Sequence, residues 1–141
     1  MRFHHFVAPL AIVLAAATPA QAKTIKVEAG GTDANEKLQE ALIVAEPGDV
    51  VELGAGTWQL TDGLSLDVAG VTLRGAGIGE GGSILDFTGQ QGAGEGLLVT
   101  SDDVLLTNFA VLNTKGDGIT SKGADRIVYH KVRVEWTAGP K

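Results

Sequence analysis

The sequence contains no cysteine. That absence removes disulfides, thiolate metal ligands, thiol nucleophiles and a lipid-modified cysteine, so the fold must be held by packing and backbone hydrogen bonds. After residue 22 no stretch is apolar enough to span a bilayer, which takes about 20 apolar residues. Asn-Gly, the strongest two-residue hairpin signal, is also missing. Only one histidine, His130, lies beyond residue 22. Basic residues are scarce over most of the chain: residues 23–114 carry 4 Lys+Arg against 14 Asp+Glu, a balance of −10. Residues 115–141 reverse the sign, with 6 against 3, a balance of +3. An acidic surface over most of the length argues against nucleic acid as a partner. The basic end suits an anionic ligand.

The chain opens with a short positive start, Met1-Arg2, and an apolar run from Phe6 to Thr18. Ala20-Gln21-Ala22 follows as a small-x-small cleavage pattern. Residues 1–22 are therefore expected to be a signal peptide, with the mature chain beginning at Lys23 in the periplasm or outside the cell. No membrane span is expected after cleavage. Glycine, 20 of 141 residues, is about twice its usual ~7% share. Together with abundant Val, Leu and Ile, it predicts many short strands joined by tight turns.

Residues 23–46 read as a strand, Thr24 to Val27, and one short helix. Asp33 and Glu36 stand at capping-box spacing. Leu38, Ala41, Leu42 and Ala45 then fall on one apolar stripe, and Pro47-Gly48 ends the pattern. From residue 47 to 141 only short β-rich runs remain. They contain translated copies. Gly63 to Leu73 resembles Gly96 to Leu106 at an offset of 33 residues, and Gly118 to Tyr129 repeats it again 22 residues later with one extra turn residue. Leu64, Leu97 and Ile119 correspond, as do Val71, Val104 and Ile127, then Leu73, Leu106 and Tyr129. His130 falls with Thr107, and Lys131 with Asn108. The longer first offset is assigned to an extra half-coil or loop within Gly75–Gly96. Copies related by translation, each with alternating apolar positions, predict a parallel β-helix whose coils bury side chains only against their neighbours.

Several segments carry a family resemblance: Leu38-Gln39-Glu40-Ala41, Pro47-Gly48-Asp49-Val50-Val51-Glu52-Leu53, Gly56-Thr57-Trp58, Val71-Thr72-Leu73-Arg74-Gly75-Ala76-Gly77 and Ile84-Leu85-Asp86-Phe87. In this order they resemble the first coils of pectate-lyase-like right-handed β-helix proteins. Gly116-Asp117-Gly118-Ile119 resembles the turn repeated in carbohydrate-binding and sugar-hydrolase members. The resemblance implies an all-β, right-handed parallel β-helix with a short N-terminal capping α-helix. It implies a polysaccharide partner, with Ca²⁺ a frequent helper in relatives. The superfamily hosts lyases, hydrolases, epimerases and non-enzymes, so fold does not settle reaction. Because solenoids need a closing cap, the chain is expected to stop within the solenoid, leaving an open C-terminal end for further coils or another chain.

The chemistry is sought in the basic end. Uronate polymers are anionic, and lyases or C5-epimerases acting on them need cations for the sugar carboxylate and a base for the adjacent proton. Lys115, Lys122, Arg126, His130 and Arg133 are the candidates for those roles, with Asp117 and Lys131 as binding residues. The alternatives are a non-catalytic envelope or adhesion scaffold, or an inactive fragment of a longer β-helix protein. Asp102, Asp103 and Asp125 occupy equivalent turns and read as turn residues. No full hydrolase signature and no Asp-Pro-His-Asp motif of alginate epimerases is present. Gly77, Gly79 and Gly82 spell G-x-G-x-x-G, but a strand follows where a nucleotide site needs a helix.

Overall fold

The computed structural model describes Pro9 and residues 21–137. The expected signal peptide falls almost wholly outside these residues. Among them the elements run β1 (Thr24–Val27), α1 (Ala34–Val44), β2 (Val50–Leu53), β3 (Gly56–Gln59), β4 (Leu64–Leu66), β5 (Thr72–Arg74), β6 (Ser83–Asp86), β7 (Leu97–Val99), β8 (Leu105–Leu112), β9 (Ile119–Ser121) and β10 (Val128–Glu135). Every strand pairing is parallel. The result is a parallel β-solenoid of about four coils with one short helix.

Three ladders run along the solenoid. The first stacks β1, β2, β5 and the N-terminal halves of β8 and β10. The second stacks β3, β6 and the C-terminal halves of β8 and β10. The third stacks β4, β7 and β9. The aligned copies sit as expected: Leu64 pairs with Leu97 and Leu97 with Ile119, while Leu73 pairs with Leu106 and Leu106 with Tyr129. Because side chains alternate across a strand, each register row commits its residues to one face. Val51, Leu73, Leu106, Trp58, Leu85, Val111, Leu64, Leu97 and Val99 all point inward and are buried. Trp58 is fully enclosed, and its Nε1 donates to Gly54 O at 3.2 Å.

Glycine opens each copy of the repeat because neighbouring coils touch there. A Cβ on Gly63 would stand 2.7 Å from Glu95 O, and one on Gly96 would stand 2.7 Å from Thr114 Cγ2. The turn into the first ladder is left-handed in each coil: Gly48, Gly70, Asp103 and Arg126 have φ of 94°, 73°, 59° and 58°. The two later coils fill this glycine-favouring position with Asp and Arg and tie the turns together by side chains. Asp125 N donates to Asp102 Oδ1 at 2.7 Å, and Arg126 Nε donates to Asp103 Oδ1 at 2.6 Å.

Two expectations are refined. The Gly75–Gly96 segment adds no half-coil. It contains β6 flanked by two long turns, so its coil is longer but makes the same circuit. The β-rich runs at 104–106 and 109–112, and those at 127–129 and 132–136, are short and separate in the sequence but join as the continuous strands β8 and β10. Asn108 and Lys131, at φ 60° and 53°, bend each strand between two ladders without breaking it. Asn108 is structural through its backbone, with its carbonyl accepting from Gly77 N at 2.9 Å.

Helix α1 covers the first coil with Ala34, Leu38, Ala41 and Leu42. The capping box does not form. Asp33 makes no side-chain cap, and its carboxylate pairs instead with Lys37 Nζ at 3.3 Å. The helix amides do the more consequential work. Gln39 Nε2 donates to Ser65 O at 3.0 Å while Gln39 Oε1 accepts from Ser65 N at 2.8 Å. Asn35 Oδ1 accepts from Thr61 N and Asp62 N at 2.9 and 2.8 Å. One turn apart on the helix, Gln39 satisfies the edge of β4 as a preceding strand would, and Asn35 satisfies the turn before it. Leu38→Ala is expected to destabilise the protein by about 2–5 kcal/mol. Ile43→Ala, at an exposed position on the same helix, should stay within about 0.5 kcal/mol. Urea unfolding midpoints of the two variants check this.

Candidate functional site

The first ladder carries a row of polar side chains on its outer face, in which Thr107 is buried and the others reach solvent. Register aligns Lys26 with Glu52, Glu52 with Arg74, Arg74 with Thr107, and Thr107 with His130. The row exists because each of these residues flanks an inward residue of the same strand, and parallel pairing stacks equal positions at about 4.8 Å spacing. Glu52 is bracketed by cations, with Lys26 Nζ 3.9 Å from one oxygen and Arg74 Nη2 3.0 Å from the other. Thr107 Oγ1 and His130 Nδ1 share a hydrogen bond at 3.3 Å, its direction set by the imidazole tautomer. Beside the Lys26 end lies an open groove of about 190 Å³ lined by Lys26, Glu28, Glu52, Gly54, Gly75 and Ala76. Small-molecule pockets usually exceed about 300 Å³. This groove is a recess along a surface, with room for part of a longer ligand.

The seven candidates from the basic end are distributed around the circumference of the last coils. Lys115 and Asp117 lie in the turn between β8 and β9. Lys122 and Arg126 lie in the turn between β9 and β10. His130 faces outward on the first ladder, Lys131 occupies the bend of β10, and Arg133 faces outward on the second ladder. Three of these cations have carboxylate partners. Lys122 Nζ meets Glu95 Oε1 at 3.1 Å, Arg126 clamps Asp103 through Nε and Nη2, and Arg133 pairs with Glu135. Arg133 Nε also donates to Ile78 O at 2.8 Å, anchoring the Gly75–Gly82 loop to the last coil. Of the seven, His130 alone lies on the polar row. Lys26, Glu52 and Arg74 were missed, although the copy alignment that paired His130 with Thr107 extends back to Arg74.

Trp136 donates its Nε1–H to Thr114 O at 2.7 Å, tying the end of β10 to the coil beneath. The glycine string is a turn leading into β6, as its context required. Among the described residues no group of three or more His, Asp or Glu side chains stands close enough to hold a metal ion, and no helix is long and apolar enough to cross a membrane. No family profile, curated protein or solved structure matches the chain.

Several turn carboxylates are held below the usual carboxyl range. The hydroxyl of Thr100, then that of Ser101, lowers Asp67. The Arg126 guanidinium lowers Asp103 by hydrogen bonding and charge, against some desolvation. Burial opposes the charge of Asp86, but the Thr88 hydroxyl and amide, with Asn113 and Gln59, outweigh it. Each therefore contributes stability that is present above the unfolded carboxyl value of about 3.9 and lost as pH falls through the lower folded values. Thermal midpoints between pH 7 and pH 2 should fall below about pH 4, and Asp67→Asn should flatten part of that acid limb.

Proposed function

We propose that this chain is an exported β-helix protein of the pectate-lyase-like kind that binds an extended acidic polysaccharide along its first ladder. The observation supporting this reading is the axial row Lys26–Glu52–Arg74–Thr107–His130. Its two cations, Lys26 and Arg74, and the exposed His130 lie along one line, with Glu52 between the cations and Thr107 buried beneath, and these spaced groups suit the repeating carboxylates and hydroxyls of a uronate polymer. The existing Arg74–Glu52 pair is half-exposed, and exposed pairs of this type are worth about 0–1 kcal/mol. An incoming sugar carboxylate can therefore take over Arg74 at small cost. The groove beside Lys26 adds a recess for a ring or its substituents.

A second reading, proton abstraction by a lyase or C5-epimerase, is favoured by one feature. His130 is the imidazole on the row, Thr107 orients it, and Arg74 lies one strand further along. That arrangement places a base and a carboxylate-neutralising cation on the same ligand path. The non-catalytic scaffold uses the same surface without the base.

Affinity electrophoresis in gels containing polygalacturonate or alginate should retard the protein, and neutral glucans should not. Arg74→Gln should weaken retardation several-fold, Arg74→Lys should restore part of it, and Ile43→Ala should leave it unchanged. Unsaturated uronate ends would identify a lyase and solvent hydrogen exchange at C5 an epimerase, and His130→Gln should abolish either while weakening retardation no more than Arg74→Gln does. Binding without turnover assigns the scaffold role. Unchanged mobility in every acidic glycan would refute the polysaccharide reading.

A further inference from the structure

Asp49 stands at the start of the solenoid and is 2% exposed. Its Oδ1 accepts from the backbone nitrogen of Lys23 at 2.9 Å, and its Oδ2 accepts from Glu46 N at 2.9 Å. Lys23 is fixed from its other side as well, because its carbonyl accepts from Val50 N at 2.9 Å. An enclosed carboxylate thus holds the nitrogen of one particular residue, the one directly before β1. That residue is also the first after Ala20-Gln21-Ala22, the small-x-small pattern.

We propose that Asp49 is the receptor for a new N-terminus: removal of the leader frees the α-ammonium of Lys23, and the buried carboxylate binds it. The step is a hydrolysis. Water adds across the Ala22–Lys23 peptide bond, the carboxyl group leaves with Ala22, and the amine released on Lys23 takes up a proton. A hydrogen bond from a neutral amide N–H to an ionised carboxylate becomes one between two opposite charges. Processing thereby fastens β1 to the turn after α1 and closes the first coil.

The charged groups facing the site are few. The Lys23 Nζ lies 3.6 Å from Asp49 Oδ2 and is half-exposed, so it can yield to solvent when the α-ammonium arrives. Glu46 contributes its backbone N–H, and β5 contributes Thr72 N to the Asp49 carbonyl. Asp49 is already held ionised below the usual carboxyl range, first by the Lys23 N–H and then by that of Glu46. The receptor charge is therefore in place at every pH where the amine titrates.

The proposal rests on the export reading, and its two halves are tested apart. Mass spectrometry of the exported protein should find Lys23 at the N-terminus, and any other terminus overturns the processing half. Independently, three chains ending at Lys141 are compared: one beginning at Lys23, the same chain Nα-acetylated, and one beginning at Gln21. The folded-state pKa of the Lys23 amine should rise about one unit above the ordinary ~7.7–8.0, equivalent to about a tenfold gain in the folding constant. Because the folded value is raised, the gain is full below the unfolded pKa and is lost as pH rises through the folded one. The acetylated and Gln21 chains should lack this dependence, and Asp49→Asn should remove it from the Lys23 chain. Superimposable pH profiles for the three chains, or an unshifted amine, overturn the receptor.

Discussion

Parallel, in-register pairing between one coil and the next is the constraint on which the whole structure depends. Ile25, Val51, Leu73, Leu106 and Tyr129 form a single inward row only because β1, β2, β5, β8 and β10 pair residue for residue. A slip of one residue in any strand would turn its apolar set outward. Coil circumference must therefore be kept constant, and the left-handed turns at Gly48, Gly70, Asp103 and Arg126 do this at one corner. Where the chain departs from the rule, in the loop Gly75–Gly82, a buried hydroxyl restores it. Ser83 Oγ donates to Leu53 O at 3.0 Å and accepts from Ala76 N at 2.8 Å. Loop length is tolerated because closure entropy grows only slowly with it.

A structure that stabilises each coil through its neighbours has two special ends. At the first, Gln39 and Asn35 replace a missing strand with side-chain amides, and Leu38 and Leu42 replace its apolar contacts. The helix is thus a substitute coil. At the last described coil the same inner row is half open. Leu106 is fully buried, and Tyr129, its equivalent one coil later, is 49% exposed. Tyr129 also differs in kind, with its hydroxyl 2.6 Å from Ser121 Oγ.

The fold was legible because every coil states it again. Three copies at fixed register are enough to identify inward positions, and Leu64, Leu97 and Ile119 stack as their spacing required. What was illegible depended on single residues rather than on the repeat. Asp33 and Glu36 have the right spacing for a capping box, but Lys37 at i+4 offered Asp33 a competing partner. Asn108 and Lys131 separate the apolar runs in the sequence, whereas in the fold each bends one strand across two ladders. The candidate site suffered from reading charge by sequence segment. The basic end is basic in the chain but spread around the solenoid in space, and several of its cations have local carboxylate partners.

The polar row shows the more general relation between this fold and any chemistry it carries. Inward residues are under the register constraint and cannot vary freely, whereas outward residues inherit their alignment from it without contributing much to stability. Glu52 with Lys26 and Arg74 forms exposed pairs worth little energetically, yet their geometry is set to strand spacing by the apolar rows behind them. The scaffold thus supplies positional order to groups that remain electrostatically available. On the proposed polysaccharide reading, a ligand that repeats along one direction exploits such order, its successive units meeting successive side chains. The constraint that fixes the fold thus also sets the spacing of the groups on its outer face.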